Sequence, residues 1–104
     1  MKMMENTPIK FRILEFLEDG PKRTEVICEA LAKEYAGHDN DYGKAKIKYD
    51  CIELASAGIL SEDDFVIDTE GIFQKDKLLV TYSLSPLGKD YLEYLKGTVK
   101  PQKV

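Results

Sequence analysis

Apolar positions between residues 42 and 60 (YGKAKIKYDCIELASAGIL) recur at the spacing of an amphipathic helix. The apolar side consists of Ile47, Cys51, Leu54 and Ala55. The opposite side consists of Ala45, Lys46, Tyr49, Asp50, Glu53 and Ser56. Gly58 follows, and glycine ends helices readily because it adopts left-handed backbone angles without steric cost. The pattern predicts a helix over residues 42–57, with one side in the core and the other in solvent.

Two further helices are predicted before this one. The first begins at Thr7-Pro8, where a capping residue precedes a first-turn proline. Its apolar seam is Ile9, Ile13, Phe16 and Leu17. Phe11 lies off that seam, among charged residues. The second helix opens at Thr24-Glu25 and ends near Gly37. Its core side is Ile27, Leu31 and Tyr35.

A hairpin and a last helix are predicted after the central helix. Ile59-Leu60 restarts the chain as a strand, Phe65 and Ile67 fall on one side of the strand expected over residues 64–68, and LLVTYSL (78–84) has strong strand propensity. The connection between them forms a long tip around residues 69–77. Ser85-Pro86 then begins a helix that we expect to end at Gly97. Its shared apolar face is Leu87, Tyr91, Tyr94 and Leu95.

The length of 104 residues fits a single domain, with an ordered core of about 7–97 and flexible ends at 1–6 and 98–104. Apolar residues make up 43% of the chain, which is enough for a core. No apolar run approaches the roughly 20 residues that cross a bilayer, and the start lacks a secretory signal. Cys28 and Cys51 are expected to be reduced core thiols, which suits a cytoplasmic protein.

The acidity of the chain is local. The net charge is −4 and the pI is near 5.0, which argues against indiscriminate binding of nucleic acids. Residues 61–77 hold six acids and two bases, a sum of −4, so the rest of the chain sums to zero. A DNA-binding surface made of helices is compatible with this distribution, whereas one led by the base of the hairpin is not.

An enzyme is not expected from the inventory of side chains. His38 is the single histidine, and no serine or cysteine lies in a recognisable nucleophile motif. The glycines are scattered at the ends of elements rather than gathered in a phosphate-binding loop. Cys28, His38 and Cys51 lack both the spacing of a metal site and a fourth ligand. We therefore expect no catalytic residues, no cofactor and no metal.

A group of residues at the ends of the predicted elements resembles the winged helix-turn-helix domains of transcriptional regulators. The matching positions are Leu54, Ala57-Gly58-Ile59-Leu60, Tyr82, Leu84, Ser85 and Gly88. The likeness covers roughly residues 8–96. It implies an α+β winged helix, with a three-helix core that contains the helix-turn-helix, a hairpin wing and a C-terminal helix.

The resemblance implies that the chain binds double-stranded DNA and regulates transcription. In such domains the third helix lies in the major groove and the wing touches the backbone or minor groove. Helix 42–57 and wing 69–77 would then make these contacts. The implied DNA-binding residues are Lys22, Arg23, Tyr42, Lys44, Lys46, Lys48, Tyr49, Lys75 and Lys77. Asp50 and Glu53 would face DNA from the same helix, which offers none of the Arg, Asn or Gln side chains that usually read bases.

Two partners besides DNA remain open. A homodimer is expected because one short helix reads few base pairs, and the expected interface is Phe11, Tyr91, Tyr94 and Leu95. Packing of the last helix on the first explains the same residues. The alternative function is a protein-interaction module whose acidic wing meets a basic protein partner. A continuous basic strip over Lys22, Arg23, Lys44, Lys46 and Lys48 would favour DNA, and acids interrupting that strip would favour protein.

Overall fold

The computed structural model describes residues 8–98, which form four helices and a three-stranded antiparallel sheet. The helices are α1 (Ile9–Phe16), α2 (Thr24–Ala32), α3 (Asp41–Ser56) and α4 (Pro86–Thr98). The strands are β1 (Lys22–Arg23), β2 (Leu60–Ile67) and β3 (Leu78–Leu84). This arrangement confirms the α+β class. The expected Thr7 cap and the expected flexible ends lie outside the described residues, apart from Thr98, which is the last residue of α4.

The core lies between the helices and one face of the sheet. It includes Ile13, Ile27, Ile47, Cys51, Tyr82 and Leu92. Phe11 is also part of it, with an exposed fraction of only 2%. Phe11 thus lies off the predicted seam but inside the core, which agrees with the alternative that the last helix packs on the first. The reason is that α1 packs against α2, α3 and α4 together, so its buried arc is wider than a single seam.

The predicted central helix is confirmed as α3, and its two ends have clear local causes. At the start, the side chain of Asn40 accepts a hydrogen bond from the Gly43 N–H at 2.7 Å. At the end, Gly58 has a φ of +82°, as the sequence predicted. The strand that follows is continuous from Leu60, so the acidic residues before Phe65 belong to the strand.

The sheet has the order β1-β3-β2. Strands β2 and β3 pair from Leu60↔Leu84 to Ile67↔Leu78, with an irregularity between Glu62 and Asp64. The two-residue strand β1 was not predicted. It is prolonged by Thr24, whose hydroxyl donates to the Val80 carbonyl at 3.0 Å and accepts from the Val80 N–H at 3.1 Å. A side chain thus takes the place of the next strand residue.

The start of α4 follows the sequence prediction, whereas its buried side and its end do not. The Ser85 hydroxyl caps the helix by accepting from the Gly88 N–H at 2.9 Å. Leu92 is 2% exposed, while Leu87 and Tyr94 are 56% and 64% exposed, so the predicted apolar face is rotated relative to the core. The helix also continues through Gly97. Among residues 8–98, no helix is long and apolar enough to cross a membrane.

Candidate nucleic-acid interface

The outward side of α3 presents two tyrosines and a lysine in one stripe. Tyr42 and Tyr49 are 77% and 60% exposed, and Lys46 lies between them in an exposed position. Residues spaced by three, four and seven positions lie on one side of a helix, so the three side chains form a continuous surface about two turns long. We call Tyr42, Lys46 and Tyr49 the α3 stripe.

Two acids expected on this reading surface are placed differently. Asp50 is 7% exposed, and this burial raises the pKa of its carboxyl group, against the opposing effect of Lys46 and Lys10. Glu53 is exposed, but its carboxylate is bound to the Lys10 ammonium at 2.7 Å. Asp50 is therefore wrong as a DNA-facing residue, because α1 packs close to that side of α3.

Lys44 and Lys48 lie on the side of α3 that faces α2 and the hairpin. The Lys44 ammonium is 3.9 Å from the Glu29 carboxylate. The Lys48 ammonium donates to Gln74 Oε1 at 2.6 Å. These two lysines flank the α3 stripe, and Lys48 links the helix directly to the loop of the hairpin.

The hairpin loop, residues 68–77, is organised by the carboxylate of Asp68. Its two oxygens accept from the backbone N–H groups of Ile72, Phe73 and Gln74 at 2.7–2.8 Å. Burial tends to raise the pKa of Asp68, but these N–H groups outweigh that effect and hold the pKa below its ordinary value. Asp68 is 2% exposed, so the loop is built around a buried anion.

The other residues of the hairpin loop show how it lies against the helices. Phe73 packs against the hydrophobic core, which brings the loop back toward the helices. The Lys75 ammonium donates to the Thr69 carbonyl at 2.8 Å, inside the loop. Lys77 is exposed and is the last loop residue before β3. Of the two expected wing cations, Lys75 is therefore engaged locally.

The cations before α2 are paired with acids. The Lys22 ammonium binds Asp19 at 2.7 Å and lies 5.2 Å from the centre of the Phe16 ring. The guanidinium of Arg23 binds Glu25 at 2.8 Å. Together with the Lys44–Glu29 approach, these pairs place an acid beside three of the five positions in the expected basic strip.

The residues expected at a dimer interface divide into two groups. Phe11 lies in the core, with Leu95 packed against it, and both line an apolar cavity of about 330 Å³ between α1, α3 and α4. Tyr91 and Tyr94 are exposed, and their rings stack with centres 6.5 Å apart and an angle of 15°. Phe11 is therefore unsuited to contact a second copy directly, because its side chain is already buried.

The two cysteines are buried in the core, as expected. Burial raises the pKa of Cys28 to about 12 and raises the pKa of Cys51 as well, so both thiols are protonated at neutral pH. Among the described residues, no group of three His, Cys, Asp or Glu side chains is placed to hold a metal ion.

Asp68, Gln74 and Asn40 shape this surface, and sequence reasoning missed all three. Asn40 could have been found, since it precedes a helix as asparagine caps do. Asp68 is followed three residues later by glycine, which marks a turn but does not show that the carboxylate would be enclosed. The Gln74–Lys48 contact joins residues 26 positions apart, so no local pattern reveals it.

Comparison of the chain with protein-family models, with curated protein sequences and with solved structures found no match.

Proposed function

We propose that the chain is a winged helix that binds double-stranded DNA and regulates transcription, with α3 in the major groove. The observation that carries the proposal is the α3 stripe, an exposed surface of Tyr42, Lys46 and Tyr49 on a 16-residue helix. The major groove is wide enough to admit an α-helix. The hairpin beside α3 would act as the wing.

In this arrangement the cations position the protein and do not select a sequence. Lys46 would neutralise a phosphate from the stripe, and Lys44 and Lys48 would do so from its flank. Lys48 would have to leave Gln74, and Lys44 would have to turn from Glu29. Tyr42 and Tyr49 can donate a phenolic hydrogen bond or pack on sugars and thymine methyl groups.

We also propose that two copies act together. One short helix contacts few base pairs, and a dimer supplies a second half-site. The exposed stacked pair Tyr91 and Tyr94 on α4 is the surface that we assign to this contact. Aromatic side chains of this kind are enriched where protein surfaces meet.

The test is fluorescence anisotropy of a mixed-sequence duplex across a salt series, with the Lys44→Glu/Lys46→Glu variant. We expect the affinity to fall as the salt concentration rises. The double variant should lose most binding, and its plot of log affinity against log salt concentration should be shallower by roughly two, since each neutralised phosphate contributes about 0.9 to the slope. Lys33→Glu/Lys89→Glu makes the same charge change at exposed positions outside α3 and serves as control.

A second candidate function is a protein-interaction module. It is favoured by the acids Asp19, Glu25 and Glu29, which interrupt the basic strip. If the wild-type protein does not bind the duplex even at low salt, DNA binding without sequence preference is rejected and the protein-interaction function takes its place. Equal loss of binding in the control variant would show that net charge alone, and not α3, attracts DNA.

A further inference from the structure

Strand β2 is the open edge of the sheet. It pairs with β3 on one side, and within residues 8–98 no strand lies on its other side. It is eight residues long, and every residue from Glu62 to Ile67 is exposed. Natural proteins usually shorten or cover such edges because the unpaired backbone groups can accept another strand. A long, uncovered edge therefore marks a candidate interaction surface.

The register shows which backbone groups point outward. The Asp68 N–H donates to the Lys77 carbonyl at 2.8 Å, so the backbone groups of Asp68 point toward β3. Along an antiparallel strand, the backbone groups of successive residues point alternately toward the paired strand and away from it. Val66 therefore faces β3, while the backbone groups of Phe65 and Ile67 point away from it. The Ile67 carbonyl already accepts a bond within the loop at 2.9 Å. The N–H and C=O of Phe65 and the N–H of Ile67 remain at the edge.

The side chains of the same two residues line a groove. Phe65 and Ile67 pair with Val80 and Leu78, so all four side chains share one face of the sheet. With Ile52 of α3 they border a groove of about 520 Å³. Ile52 and Lys48 of α3 lie along the groove but do not cover it, so Phe65 and Ile67 are about half exposed, at 50% and 53%.

The charge of the edge selects its occupant. Strand β2 carries three carboxylates, those of Glu62, Asp63 and Asp64, all of them exposed, and no base. Antiparallel pairing of two copies through β2 would set these acids against one another, which is unfavourable at neutral pH. A strand with lysine or arginine side chains would meet Glu62, Asp63 and Asp64 with opposite charge.

We propose that the β2 edge binds an extended, basic segment of a partner protein, which adds to the sheet as a fourth strand. Its backbone pairs with Phe65 and Ile67, its apolar side chains fill the groove beside Ile52, and its cations face the acids of β2. This surface is separate from the α3 stripe, so the proposal stands or falls independently of DNA binding.

The test uses the full chain and an acetylated peptide of four Val-Lys repeats, with four Val-Glu repeats as the acidic probe. We expect the basic peptide to bind, the acidic peptide not to bind, and the Phe65 and Ile67 amides to gain protection from hydrogen exchange in the complex. The double variant Glu62→Lys/Asp64→Lys should weaken binding about tenfold. Asp90→Lys/Glu93→Lys, an equal charge change at exposed positions of α4, should leave it unchanged.

Four results would overturn the proposal. If the basic peptide does not bind at low salt, the edge does not bind a basic strand. If the α4 control variant weakens binding equally, the peptide is attracted by the net charge of the protein and not by β2. Binding without protection of Phe65 and Ile67 would mean that the acids attract the peptide without adding a strand. Self-association through β2, seen as protection of the Phe65 and Ile67 amides in a wild-type dimer without peptide, would assign the edge to a second copy.

Discussion

In the hairpin loop, the carboxylate of Asp68 accepts hydrogen bonds from backbone N–H groups that in ordinary turns bond to backbone carbonyls. Three backbone N–H groups, from Ile72, Phe73 and Gln74, point at its two oxygens. An oxygen can accept at each of these positions, whereas an amide nitrogen cannot. The loop that carries Gln74, the partner of Lys48, therefore depends on one ionised side chain.

Protonation of Asp68 should loosen this loop. Its pKa in the folded chain lies below the unfolded value of about 3.9, so the carboxylate contributes its full stability above that pH and loses it as the pH falls toward the folded value. We expect Asp68→Asn to speed hydrogen exchange of the Ile72 amide about tenfold at neutral pH, because the one amide oxygen can keep the Phe73 and Gln74 bonds while the NH₂ group faces the Ile72 N–H. The thermal midpoint should fall in this variant, and the difference from wild type should shrink on acidification.

Asp63→Asn is the control for this change, since Asp63 is an exposed carboxylate on the same hairpin. It should leave exchange of the Ile72 amide unaffected. A constant gap in thermal midpoint between Asp68→Asn and wild type from neutral to acidic pH would show that the carboxylate acts through its shape rather than its charge.

At the scale of elements, Gly88 fixes how closely α4 approaches Ile59, the residue directly before β2. A Cβ atom added there would lie 2.0 Å from the Ile59 carbonyl oxygen, a backbone atom that cannot turn aside. The same carbonyl accepts from the Ser85 N–H at 3.1 Å, so the first turn of α4 is held against it. Glycine at this position is thus required by space, not by backbone angles.

We expect Gly88→Ala to destabilise the fold by about 1–3 kcal/mol, as overpacking does. Gly97→Ala is the matched control, because it makes the same change in the same helix where no atom lies within 4 Å of the added Cβ. It should stabilise by up to about 1 kcal/mol, since alanine favours helix over glycine. Denaturant unfolding measures both. A Gly88→Ala protein as stable as wild type would contradict the close approach.

The elements with strong local patterns were predictable, and the others depend on packing. Helix α3 follows from its periodicity and Gly58, and the start of α4 follows from Ser85 and Pro86. Strand β1 has only two residues and no pattern, and it exists because Lys22 and Arg23 lie beside β3. The buried side of α4 was predicted wrongly because Leu92, which is 2% exposed, was not placed on the apolar face, whereas Leu87, which is 56% exposed, was.

The candidate interface was predictable only in part, for a related reason. Periodicity places Lys46 outward and Lys44 and Lys48 at its flanks, as observed in their exposure. It cannot show that Glu29, on another helix, lies 3.9 Å from Lys44. Ion pairs between elements depend on how helices pack, so the sequence alone did not reveal the interrupted basic strip.

At the scale of the whole molecule, the exposed side chains proposed to contact partners lie on separate surfaces. The α3 stripe carries Tyr42, Lys46 and Tyr49, while the acids gather on β2 and the hairpin loop. The exposed pair Tyr91 and Tyr94 lies on α4. The three proposed partners, namely DNA, a basic strand and a second copy, thus each use a different surface.

Tyr94→Glu tests the proposed dimer. We expect the wild-type chain to be a dimer by light scattering and this variant to be a folded monomer, since a buried charge at an aromatic contact is costly. Tyr42→Glu makes the same change at a comparably exposed position on α3 and should remain dimeric. A folded, dimeric Tyr94→Glu protein would place the dimer contact elsewhere.

The hydroxyl of Thr24 has a consequence for the order in which the chain folds. It joins residues 56 positions apart, whereas β2 and β3 are joined by the hairpin loop of residues 68–77 alone. Closing a longer loop costs more chain entropy, so the hairpin can pair before β1 finds its place. We therefore expect β1 and Thr24 to dock onto β3 after the hairpin has formed, and α2, which begins at Thr24, to be placed against the sheet in the same step.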